Sequence, residues 1–204
     1  MREEIEWLNY WIEDADNTEL RRILLLGDSV ARDYRKPLNR MLSKEGYVVD
    51  LLAMSHSVFD KLFMEAILHF IDTVGKQYHY DFILFNLGVH HGYSFRCVEG
   101  QLIWNEYYQK LGCALKALHS ISSNIITITG TPENTDCSDA DNDEVEMRNR
   151  ILESISSESG YQLIDLHKVL AGRYFPMVDR FHFRESGYEY IAIVIKRILD
   201  FLIN

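Results

Sequence analysis

Apolar residues along the chain fall into short continuous runs separated by longer stretches whose apolar positions recur at helical spacing. Continuous runs of this kind suit strands buried on both faces, as in a parallel sheet. They occur at 22 to 26 (RILLL), 47 to 53 (YVVDLLA), 80 to 86 (YDFILFN), 124 to 129 (NIITIT) and, more weakly, 161 to 166 (YQLIDL). Helix-length segments lie between them near 34 to 45, 57 to 74, 101 to 119 and 143 to 158, with Gly46, Gly75 and Gly160 placed as C-terminal stops. A last helix is expected at about 186 to 202. An opening helix at roughly 3 to 14 would put Ile5, Leu8, Trp11 and Ile12 on one face.

Strand and helix alternating in this way imply right-handed crossovers, and hence a three-layer α/β/α sandwich around a five-stranded parallel, flavodoxin-like sheet. No linker or repeat interrupts the pattern. Residues 1 to 204 therefore read as a single domain, with 1 to 20 as an N-terminal helical extension. In such folds chemistry sits at the C-terminal strand ends. Those ends carry Gly27-Asp28-Ser29, Ser55-His56-Ser57, Gly88-Val89-His90-His91-Gly92 and Thr129-Gly130-Thr131-Pro132, and a loop after the fifth strand carries Asp179-Arg180-Phe181-His182.

Composition narrows the partners. The chain has 204 residues, 47% of them apolar, which is ample for a core, and 21 Lys+Arg against 31 Asp+Glu give a net charge of −10. That charge repels phosphate backbones and anionic membranes, so no nucleic-acid or membrane partner is expected. No apolar run reaches the length of a membrane span, and the acidic start MREEIEWLNYWIEDADNTEL lacks the basic beginning of an export signal, so the expected location is cytoplasmic. Cys97, Cys113 and Cys137 show neither paired nor zinc-type spacing and read as free thiols.

Serine is a poor nucleophile at neutral pH unless an imidazole takes its proton, and the imidazole needs an acceptor to fix its tautomer. Ser29, His182 and Asp179 supply one of each. Asp179 and His182 are three residues apart on one loop, so the carboxylate can turn back to one ring nitrogen while the other faces the sheet mouth. Ser29 stands at a strand-to-helix junction, where amides of the following turn point at a developing oxyanion. The competing reading makes Ser29 a helix cap and His182 an ordinary loop residue.

At these residues the chain resembles the SGNH, or GDSL, hydrolase superfamily from about Arg22 onward, and ILLLGDSVAR looks particularly like its PC-esterase-like branch. The resemblance implies an esterase-type triad of Ser29, Asp179 and His182. Two motifs depart from the family pattern. The second normally supplies a glycine amide to the oxyanion hole; no glycine lies between Gly46 and Gly75, so Ser57, or its neighbours Ser55 and His56, stands in. The third is usually Gly-x-Asn-Asp, whereas here Gly88-Val89-His90-His91 puts His90 at the asparagine position, with Asn86 as the alternative donor. An α/β-hydrolase reading ranks lower, because that fold needs strands before its nucleophile elbow.

The function expected is removal of a short acyl group, acetyl first, from a carbohydrate or related small-molecule ester, with no cofactor. O-acyl transfer by the same triad, lysophospholipase or thioesterase action, and a catalytically silent binding module are the alternatives, and the oligomeric state is left open. His90-His91 with Asp28 and His182 lacks metal-ligand spacing, so no metal is expected. Asp139-x-Asp141-x-Asp143 has Glu144 where a calcium loop needs glycine and reads as an acidic helix cap. His167, beside Asp165, competes with His182 as base but follows the fifth strand directly. Arg32, Arg35, Lys36 and Arg40 after the nucleophile, and Arg173, Arg180 and Arg184 around the Asp-x-x-His loop, either orient an anionic substrate or pair with surface acids. Tyr93, Phe95, Trp104, Tyr107, Tyr174, Phe175, Phe181 and Phe183 offer faces for a sugar or belong to the core.

Overall fold

The computed structural model describes residues 6–88 and 101–203. Six strands form one sheet: β1 (Leu8–Trp11), β2 (Arg21–Gly27), β3 (Tyr47–Met54), β4 (Tyr80–Asn86), β5 (Ile125–Ile128) and β6 (Gln162–Ile164), in the order β1-β3-β2-β4-β5-β6. β2 to β6 are mutually parallel, in the doubly wound order that the five apolar runs imply.

The opening segment departs from expectation. Leu8–Trp11 is not helical but pairs antiparallel with β3, Leu8 opposite Met54 and Trp11 opposite Leu51. The apolar residues at 5 to 12 satisfy a period of two as well as one of 3.6. Tyr10 and Ile12 pack toward one face of the sheet and Trp7 toward the other, and the open edge of β3 provides the backbone partners that a solvated helix would not need. The extension is thus a sixth, edge strand.

Helices cover both faces. α1 (Ser29–Leu42), α5 (Leu166–Leu170) and α6 (Glu185–Ile203) pack on Ile23, Leu25 and Val49, while α2 (Lys61–Thr73), α3 (Gln101–Leu118) and α4 (Asn142–Ser159) pack on Leu24, Leu26 and Phe85. Successive β2 residues alternate between these two cores, and all of Ile23 to Leu26 are fully buried. At the opposite end of β2 from the loop carrying Ser29, the fully buried Arg22 contacts both oxygens of Asp50 at 3.0 Å and donates to the carbonyls of Glu13, Asp14 and Asn17. Tyr80 also donates to Asp50 at 2.9 Å. This network ties the β1–β2 connection to the sheet. Among the described residues no helix is long and apolar enough to cross a membrane.

Candidate active site

Ser29 is placed by its two predecessors. Gly27 ends β2 opposite Ala53 and Asn86, where a Cβ would lie 2.3 Å from the Ala31 Cβ and 2.4 Å from the Asn86 carbonyl oxygen. Only glycine lets the chain turn there from strand into helix. Asp28 then caps α1: its Oδ1 accepts from the amides of Val30 (3.0 Å) and Ala31 (3.4 Å), and its Oδ2 from that of Gly88 (2.8 Å), which locks the end of β4 to the serine turn. The ends of β4 and β5 also touch: a Cβ on Gly88 would sit 2.9 Å from the Cα of Gly130.

The imidazole comes from the other end of the chain. Between α5 and α6 the loop folds back on itself, with Met177 bridged to Phe183 and the Val178 amide donating to the His182 carbonyl at 2.7 Å. Asp179 sits at the loop tip, where its Oδ1 accepts from the amides of Phe181 (2.9 Å) and His182 (2.8 Å). Gly187 lets α6 start tight against Phe183, whose Cβ would be 2.7 Å from any added Cβ.

These elements bring together side chains 153 residues apart: Ser29 Oγ lies 2.7 Å from His182 Nε2, and His182 Nδ1 lies 2.9 Å and 3.0 Å from the two Asp179 oxygens. Asp179 takes the proton-bearing nitrogen, so Nε2 faces the hydroxyl as an acceptor. Burial is the largest single influence on Asp179 and raises its pKa, but the His182 ring and the two loop amides together outweigh it and hold the carboxyl below its usual range. The ion that orients the imidazole is therefore maintained. Ser29 is buried and His182 partly exposed.

The candidate oxyanion donors are placed differently. Asn86 is buried; its amide donates to the carbonyls of Ile128 and Thr129, both at 3.1 Å, and its oxygen accepts from Tyr34. Both its hydrogens are committed to joining β4 and β5, so it has none for an oxyanion, against the expectation. Ser57 follows β3, with its hydroxyl accepting from the Phe59 amide and its carbonyl from Asp60, a turn ahead of α2. His90 lies outside the described residues, as do His91, Tyr93, Phe95 and Cys97. His56 instead pairs with Glu6. Asp165 caps α5 through the Lys168 amide, leaving His182 to contact Ser29 where His167 was its rival.

Glu133, to which the sequence assigned no role, and Arg180, read there as a substrate-orienting cation or as a partner of surface acids, anchor the loop by pairing with each other. Buried Glu133, in the segment after β5, receives both Nε (2.7 Å) and Nη2 (3.0 Å) of Arg180, and the Arg180 carbonyl accepts from the Asn134 amide. The available signal was the position of each at the end of a strand or between Asp179 and His182. For a cation, Glu6, His56 and Asp60 place one ligand-capable atom each within 4.8 Å of one another among the described residues, but the His56–Glu6 hydrogen bond accounts for that grouping.

Compared with known proteins, no family model and no curated sequence matches. Solved structures do. A lipase/acylhydrolase from Enterococcus faecalis superposes with a TM-score of 0.68 at 16% identity, over 88% of this chain and 95% of that one. The chain has the SGNH-hydrolase fold. An acetylxylan esterase from Geobacillus stearothermophilus gives a TM-score of 0.62 at 17% identity, over 87% and 93% of the two chains. A GDSL-like lipase from Bacteroides thetaiotaomicron gives 0.61 at 12%, over 88% of each. In this SGNH fold Ser29 and His182 occupy the rim where the parallel strands end.

Proposed function

We propose that the protein is a serine ester hydrolase that removes a short acyl group, acetyl first, from an oxygen of a carbohydrate or related small molecule. One observation carries the reading: the Ser29–His182–Asp179 hydrogen-bonded chain, assembled from both ends of the sequence at the C-terminal rim of the sheet. Acylhydrolases and acetylxylan esterases among the structural neighbours support the reaction class.

In this reading Ser29 Oγ attacks the ester carbonyl as His182 Nε2 takes its proton, and Asp179 stabilises the imidazolium. The carbonyl oxygen becomes an oxyanion next to the N-terminus of α1, where the helix dipole and the Ser29 amide favour negative charge; the Ser57 amide and His90 are the further donors. Collapse breaks the bond to the sugar oxygen, which leaves with the proton held by His182. Water then attacks the acyl group on Ser29, passes a proton to His182, and the acid departs as Ser29 recovers its hydrogen. No cofactor takes part in this sequence of steps.

A fluorophosphonate that forms a covalent bond to activated serine tests the reading, with p-nitrophenyl acetate as substrate. Labelling of Ser29, and a loss of turnover of roughly 10³-fold or more in Ser29→Ala, is expected. Undiminished turnover in that variant overturns it.

A further inference from the structure

A groove of about 570 Å³ runs between α1 and the edge strand β1, with a lining that departs from the charge of the chain as a whole. Against a net charge of −10, its ionisable side chains are Arg32, Arg35, Lys36 and Arg40 on the helix and a single acid, Glu13. Arg35 is built in: its guanidinium donates to the Val49 carbonyl at 2.8 Å and to Glu13 at 2.7 Å. Arg32 and Arg40 pair with Asp33 and Glu189, contacts at partly exposed positions that hold little energy and leave the cations able to engage another anion. Lys36 is exposed and makes no ion pair among the described residues.

The opposite wall is aromatic. Trp11 in β1 is 53% exposed, and the Arg35 guanidinium lies 5.2 Å from its ring centroid. A flat apolar face beside a row of cations suits a ligand with an apolar ring face and acidic edges.

One wall of the groove is the helix that begins at the reactive serine. Lys36 and Arg40 lie seven and eleven residues beyond Ser29 on the same helix face, so Lys36 stands about 10 Å along the axis at 1.5 Å per residue. Arg32, one turn from Ser29, stacks on Trp7 at 4.8 Å. The Trp7 amide in turn donates to the Ser55 hydroxyl at 2.8 Å, and its carbonyl accepts from the Ser55 amide at 3.0 Å, just past the end of β3 on the rim where Ser29 sits.

We infer that this groove binds an anionic sugar chain, one ring against Trp11 and its acid groups on Lys36, Arg32 and Arg40, and so presents esters of acidic glycans to Ser29. The presentation rests on the esterase reading above; the binding does not. An acid group could be a carboxylate or a phosphate, and the charge row serves either.

Calorimetric titration of the full-length Ser29→Ala protein with trimannuronate, mannotriose and mannose 1-phosphate separates these cases. Trimannuronate should bind at least about tenfold more tightly than mannotriose, weaken as salt is raised, and lose roughly tenfold or more in Lys36→Glu. Trp11→Ala should weaken it as well, with thermal unfolding confirming that each variant is folded and the milder Lys36→Gln serving where Lys36→Glu is not. Preference for mannose 1-phosphate keeps the anionic sugar and makes phosphate its acid. Equal binding of trimannuronate and mannotriose, or no effect of either Lys36 variant, overturns the inference. In the wild type, O-acetylated trimannuronate should show a lower KM than O-acetylated mannotriose. Binding without turnover of any ester would leave the groove standing and remove the esterase, whereas turnover with no preference for acidic sugars would do the reverse.

Discussion

Arg180 stands between Asp179 and His182 in the chain, and its guanidinium forks onto the two oxygens of Glu133, at 2.7 and 3.0 Å. Glu133 also accepts from the Asp141 amide at the start of α4, and Arg180 reaches Asp139 at 3.1 Å, so the loop carrying the imidazole is fastened to the segment between β5 and α4. Removing one partner leaves the other charged and dehydrated. Arg180→Ala is expected to cost about 3 kcal/mol in urea unfolding. It should lower kcat on p-nitrophenyl acetate more than it raises KM, because His182 loses its position. Arg180→Lys should recover little, since an ammonium cannot span both oxygens. Wild-type kinetics in Arg180→Ala would show that the loop is held by other contacts.

Asp179→Asn keeps the size of the side chain but replaces the anion that accepts from His182 Nδ1. An amide can donate to Nδ1 and turn the ring tautomer so that Nε2 carries a hydrogen toward Ser29. Turnover should then drop by roughly 10³ to 10⁴, with the fold intact by circular dichroism. A loss under about tenfold would mean that Asp179 does not orient the base.

At Gly27 the prediction is steric. A methyl group there meets the Ala31 Cβ at 2.3 Å and a backbone oxygen of Asn86 at 2.4 Å, and neither is the end of a flexible side chain. Gly27→Ala should therefore destabilise the protein by about 1–3 kcal/mol or more and shift Ser29 away from His182. Urea midpoints and ester turnover should fall together. An unchanged midpoint would show that the turn relaxes freely.

Four of the five parallel strands were readable because they are largely buried on both faces and so are written as apolar runs, as in Ile23 to Leu26, whereas the edge strand β6, with Gln162 exposed, gave a weaker run. Ser29, Asp179 and His182 could be nominated because the doubly wound order sends every strand end to one rim. Three features could not be read in the same way. Leu8–Trp11 carries a pattern open to both helix and strand, and its state was decided by the free edge of β3, a partner about forty residues distant. Asn86 looked like a free donor because sequence does not show that the carbonyls of Ile128 and Thr129 face it. Glu133 and Arg180 meet only after the chain folds, and their charges were indistinguishable from those of surface residues.

Arg22 offers a test of the base of the sheet. It and Asp50 are fully buried, and burial raises the Asp50 pKa even though Arg22, Tyr80 and the Glu13 amide all pull it down. Arg22→Met leaves that carboxyl without its cation and frees the carbonyls of Glu13, Asp14 and Asn17. A loss of about 3–5 kcal/mol is expected, partly recovered in Arg22→Met/Asp50→Leu, where the orphaned charge is gone. A double variant less stable than Arg22→Met would show that Asp50 is held chiefly by Tyr80 and the Glu13 amide.

The contribution of Asp179 to stability depends on pH. The hydrogen bonds from the His182 ring and the amides of His182 and Phe181 outweigh the upward push of burial and leave the folded pKa of Asp179 below its unfolded value, about 3.9 for an aspartate. Its stabilising contribution is thus complete above that value and disappears as pH falls through the lower, folded one. The difference in urea midpoint between wild type and Asp179→Asn should hold from pH 7 down to about 5 and shrink below about 4. Activity follows a different requirement. His182 Nε2 must be free of a proton to accept the one from Ser29, so turnover should decline on the acid side. A plot of log kcat/KM against pH should therefore fall with a slope of one, reporting a single proton. A slope of two would mean that a second carboxyl titrates with the base, and a flat profile from about pH 5 to 8 would remove His182 from the proton transfer.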